Sequence, residues 1–86
     1  MNTYNLIIST PDGSVFDEQA VALIVRGTEG ELAVLAGHIH FITAVKAGIC
    51  KIALPDDSEK LATIGGGILT VKNDKTTLLC SDFKWS

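Results

Sequence analysis

The chain has 86 residues, one domain's length, with 47% hydrophobic residues and a formal net charge of −3. Its seven basic residues are scattered, which argues against nucleic acid or an anionic membrane surface as partner. The N-terminus reads as no secretory signal, and no apolar run approaches the ~20 residues of a membrane-spanning helix, so the expectation is a soluble, cytoplasmic chain.

Tyr4 to Ser9 is rich in β-formers and is stopped by Pro11-Asp12-Gly13, where Pro fixes φ and Gly supplies a positive one. Ser14 to Phe16 resumes extended structure. Ala20 to Arg26 alternates Val21, Leu23 and Val25 with Ala20, Ala22 and Ile24, so both faces suit a strand inside a sandwich. Gly27 and Gly30 bracket Thr28-Glu29, a tight reversal, and Leu32 to Leu35 continues as a strand. Gly37 breaks it, and Ile39 to Val45 follows.

Lys46-Ala47-Gly48 is the next turn. Ile49 to Leu54 is a strand with Lys51 turned to solvent, and Pro55 to Ser58 is a polar hairpin tip. Glu59 to Ile64, Ile68 to Lys72 and Lys75 to Ser81 are the remaining strands. No stretch holds a 3.6-residue period, so the expected fold is all-β. It is a two-sheet antiparallel sandwich or flattened barrel of nine or ten short strands, forming one domain over residues 1–86.

Few residue patterns carry chemistry. His38 and His40 would share a face of a strand and could suit a metal, with only Glu31 and Asp17 as further ligands; structural or contact work is the commoner use of such a pair. Gly65-Gly66-Gly67 lacks the Gly-Lys-Ser/Thr ending of a phosphate loop and instead marks a bulge or a close backbone approach. Asp56, Asp57 and Glu59 read as solvated charge. Cys50 and Cys80 read as small buried hydrophobes. No serine has a nucleophile-elbow context. The expectation is no catalytic set, no cofactor and no metal.

The segment Gly27 to Thr43 resembles the signature of the epsilon subunit of F-type ATP synthases, the subunit called delta in mitochondria. That signature reads PGxxGELGVLPGHAPLLT. Gly27, Gly30, Glu31, Leu32, Val34, Leu35, Gly37, His38 and Thr43 match it in order and spacing. Arg26, Ala33, Ala36 and His40 depart from it, standing where the family has Pro, Gly, Pro and Pro. Thr10 to Asp17 and Gly66 to Asp82 resemble two further family segments, so the likeness runs from Tyr4 to Asp82.

The resemblance implies a non-catalytic rotor part of the central stalk, set between the gamma subunit and the membrane c-ring. It would help couple proton or other ion flow to ATP synthesis, at the cytoplasmic face of a bacterial inner membrane and without inserting into it. It implies a c-ring contact through Thr28, Glu29, Glu31, Gly37, His38, Ile39, His40 and Phe41. It implies a gamma contact through Ser9, Thr10 and Thr43. Family members usually continue into a pair of C-terminal helices that carry ATP binding and inhibition, so neither is expected of these 86 residues. An apolar gamma-facing patch would let the isolated chain self-associate. The alternatives are a free-standing β-sandwich protein-binding module and a small metal-dependent protein using His38 and His40.

Overall fold

The computed structural model describes residues 2–37, 40–73 and 75–86. Ten strands account for the fold among them: β1 (Tyr4–Thr10), β2 (Gly13–Ala20), β3 (Ala22–Gly27), β4 (Gly30–Leu35), β5 (Phe41–Val45), β6 (Gly48–Ala53), β7 (Glu59–Ile64), β8 (Gly67–Lys72), β9 (Lys75–Cys80) and β10 (Phe83–Trp85). They follow from short apolar runs cut by glycine and polar turns. Gly13, Gly30, Gly48 and Gly66 all sit at positive φ, where glycine is the residue that fits at least cost.

Five strands in the order β4-β3-β6-β7-β10 form one curved layer, and β5-β8-β9-β1-β2 form the other. The layers join where Gly27 of β3 pairs with Val45 of β5. The result is a sandwich closing towards a barrel. Leu6, Ile8, Leu23, Val25, Ile52, Ile64, Leu69 and Leu78 fill the space between the layers and are almost wholly buried. Cys50 and Cys80 are buried with free thiols.

Three details differ from the sequence-based expectation. β1 pairs with β9 in parallel, so the sheets are not purely antiparallel. A chain that leaves β1 and returns as β9 after seven intervening strands has no tight turn to force the antiparallel sense. β2 runs on through Asp17, Glu18 and Gln19 to Ala20, because an edge strand needs apolar residues on one face alone. Ala20 therefore ends β2 and does not begin β3. Finally, Phe83–Trp85, where the sequence suggested no strand, pairs on the edge of β7 and completes ten, within the expected number.

The Gly65–Gly67 run is a close backbone approach, as its composition suggests. A Cβ on Gly67 would overlap the carbonyl of Leu79 on the paired strand.

Candidate functional site: two ends and one outer face

The β3–β4 hairpin turns through two residues, Thr28 and Glu29, between Gly27 and Gly30. Gly30 at φ +127° makes so short a reversal feasible. The hairpin places Glu31 opposite Arg26 on the outward side of β4. Thr28, Glu29, Glu31 and Leu32 line a cleft of about 190 Å³ with Thr43 of β5. Thr43 shares its ladder row with the buried Leu69, so its side chain lies on the inward face, opening at this end of the sandwich.

Gly37, His40 and Phe41 lie beyond the other end of β4. At about 3.4 Å per residue, the strand separates Gly37 from Thr28 and Glu29 by more than ~15 Å, whereas Phe41 stands two residues along β5 from Thr43. Of the residues assigned to one contact, the described ones include Thr28, Glu29 and Glu31 at the hairpin and Gly37, His40 and Phe41 around the start of β5. His40 Nε2 lies 2.8 Å from Asn73 Oδ1, tying the start of β5 to the β8–β9 turn. Phe41 is half-buried opposite Val71. His38 and Ile39 lie outside the described residues. Among the described residues, no three His, Cys, Asp or Glu side chains gather as metal ligands.

The outer face of β5-β8-β9-β1 was not singled out by sequence reasoning. Register places Ala44, Ile68, Leu79 and Ser9 in one row. It places Ile42, Thr70, Thr77 and Ile7 in the next. All eight are uncharged. Ile42, Ile68 and Leu79 are 72%, 52% and 53% exposed, far beyond what a solvated face needs. The signal was present in the sequence: β8 and β9 are apolar on both faces, although only one can reach the core.

Ser9 belongs to this face, and its carbonyl accepts a hydrogen bond from the Cys80 thiol. Thr10 sits at its rim, where its hydroxyl accepts from the Asp12 amide in the turn. Thr43 does not join them. It is in the row of Ile8, three strands away and on the opposite side of the sheet.

The acidic tip at Pro55–Ser58 shows no cleft chemistry. The Ser58 hydroxyl and backbone amide both donate to Asp56, which holds its carboxyl below the usual range although it is fully exposed. Glu59 pairs with Lys51 at 3.2 Å.

Residues 3–86 match the family described as the ATP synthase delta/epsilon chain β-sandwich domain. The ATP synthase epsilon chain of Staphylococcus aureus is 40% identical over 80 residues, covering 92% of this chain and 59% of that one. The chain thus spans about three fifths of the length of the curated relatives it matches. Two solved assemblies share its fold. A chain of the Euglena gracilis mitochondrial ATP synthase (OSCP/F1/c-ring, rotational state 1) superposes with a TM-score of 0.91 at 22% identity, over 96% of this chain and 53% of that one. A chain of the Tetrahymena thermophila mitochondrial ATP synthase central stalk and c-ring gives 0.74 at 13% identity, over 92% of this chain and 63% of that one. With the match running over nearly its whole length, the chain belongs to the delta/epsilon family of ATP synthase β-sandwich domains.

Proposed function

We propose that this domain is a non-catalytic rotor part of an F-type ATP synthase, linking the gamma subunit to the c-ring. It works at the cytoplasmic face of the bacterial inner membrane and helps couple ion flow to ATP synthesis. Its task is mechanical. Two packed layers joined along one side and bridged by aromatic contact on the other make a stiff body that transmits torque.

The observation that carries this reading is the uncharged outer face of β5-β8-β9-β1 in a chain of this family. Ile42, Ile68 and Leu79 are the residues to cover, and gamma is the partner that would cover them. Ser9 and Thr10 are gamma-facing in this reading. Thr43 belongs with the hairpin end, which its cleft shares with Thr28, Glu29 and Glu31. That end, exposed and acidic, is the proposed ring contact, where rim charges steer and register a partner. The corner of Gly37, His38, Ile39, His40 and Phe41 is a second candidate contact, to be tested apart from the first.

Calorimetric titration with the cognate gamma subunit tests the reading. One-to-one binding with a negative heat-capacity change is expected. Leu79→Lys should weaken it by at least about tenfold, and Glu31→Ala should leave it unchanged. No binding to gamma would leave a free-standing β-sandwich binding module as the better reading.

A further inference from the structure

The free edge of β4 is a self-complementary template. Among the described residues, β4 hydrogen-bonds to β3 alone. Which backbone groups it leaves open follows from the ladder. The Lys46 amide donates to the Arg26 carbonyl, so Arg26 turns its backbone towards β5 and Gly27 turns its own towards β4. Alternation then commits Gly30, Leu32 and Val34 to β3. Glu31, Ala33 and Leu35 turn their N–H and C=O groups to the open side.

This edge carries few of the usual guards, its one charge being Glu31 at the end next to the hairpin. The β3–β4 register runs without a bulge, and Glu31 to Ala36 contains neither Lys nor Pro. Other edges differ. β2 bears Asp17 and Glu18 and is kinked by a register shift at Ser9, and β10 is three residues long with Lys84 at its centre. On β4 the outward side chains include Ala33 and the 64%-exposed Leu35.

We infer that the β4 edge pairs with the β4 edge of a second copy of this chain, antiparallel about a two-fold axis through Ala33. This is the one register in which all three open residues meet within β4. Ala33 faces Ala33 of the second copy, and Glu31 faces Leu35. Like charges do not meet, and each pair exchanges two backbone hydrogen bonds. The surface is separate from the apolar outer face of β5-β8-β9-β1, so it stands whether or not gamma binds there.

Sedimentation equilibrium of the 86-residue chain from micromolar to millimolar concentration tests it. A reversible monomer–dimer equilibrium is expected. Ala33→Lys and Ala33→Glu, each placing like charges across the axis at an exposed position, should each weaken dimerisation by at least about tenfold. Mixing the two variants should restore a dimer containing one of each, because only residue 33 faces itself. Circular dichroism of both variants should match the parent, since neither side chain enters the core. The inference fails if the parent stays monomeric, if the mixture does not recover, or if Leu79→Lys abolishes dimerisation while Ala33→Lys leaves it intact.

Discussion

The Tyr4 hydroxyl donates a 2.8 Å hydrogen bond to the Val34 carbonyl, joining β1 of one layer to the edge strand β4 of the other. Both residues are buried, so the bond ties down from inside a strand whose outer edge is open. Val34 already turns this carbonyl to β3, so losing Tyr4 would not leave it orphaned. Tyr4→Phe is therefore expected to cost about 1 kcal/mol, the net worth of one hydrogen bond. In a domain of this size that is a fall of about 4–8 °C in melting temperature, measurable by calorimetry. Hydrogen exchange should locate the loss in the amides of β4.

Burial makes the fold sensitive to alkali. Cys50 is enclosed between the layers, and burial, with a smaller contribution from Cys80, pushes its thiol from 9.0 up to about 12. Burial likewise pushes Tyr4 up. Both are acids neutral when protonated, so raised folded values mean the folded state holds its protons more tightly. Stability is fully present below the unfolded pKa and is lost as pH rises towards the folded one. The melting temperature should hold steady to about pH 9 and fall progressively as pH rises towards about 12. Cys50→Ala should flatten the first part of that fall. An unchanged profile in the variant would assign the alkaline loss elsewhere.

The local grammar of this fold was legible, and its long-range pairing was not. Pro11-Asp12-Gly13 and Gly27-Thr28-Glu29-Gly30 announce their turns because proline and glycine restrict or extend backbone freedom at single positions. Nothing local states that Ile7 will lie beside Thr77, which is set by the core that Leu6, Ile8 and Leu78 build together. The candidate site shows the same division. The glycines of the Gly27 to Thr43 motif announce the β3–β4 turn, but nothing local states how far β4 carries Gly37 from Thr28 and Glu29. The outer face escaped notice because Ile42, Ile68 and Leu79 belong to three different strands and become neighbours only by register.

Gly67 should be among the least replaceable residues in the chain. Its backbone pairs with Val45 on one side and Cys80 on the other, and an added Cβ would overlap the Leu79 carbonyl. Main chain cannot move aside without breaking the β8–β9 ladder. Gly67→Ala is expected to cost more than about 3 kcal/mol, beyond the range of an ordinary overpacked side chain. Gly37→Ala is the control, because nothing among the described residues lies within 4 Å of the position its Cβ would take. Urea titration of the two variants should separate them by midpoint with little change in slope. Equal stability would mean that β8 and β9 lie further apart than the structure places them.

The far side of the sandwich is held by aromatic contact where hydrogen bonding stops. Phe16 of β2 meets Trp85 of β10 edge to face with ring centroids 6.1 Å apart, and Phe83 meets the same ring at 4.7 Å. These two strands are the outermost of their layers, so Phe16–Trp85 bridges the gap between them. Phe16 is buried, and Phe16→Ala should cost about 3–5 kcal/mol. Trp85 is the single tryptophan, so its emission reports on this seam alone. It should shift to longer wavelength in Phe16→Ala even below the unfolding transition, as water reaches the ring. Lys60 Nζ stands 5.3 Å from the centre of the same ring on the exposed side. Lys60→Ala should change the emission yet cost less than about 1 kcal/mol, the value of a solvated cation–π contact. A Phe16→Ala variant with the parent's emission and stability would show that hydrogen-bonded strands alone hold the layers together.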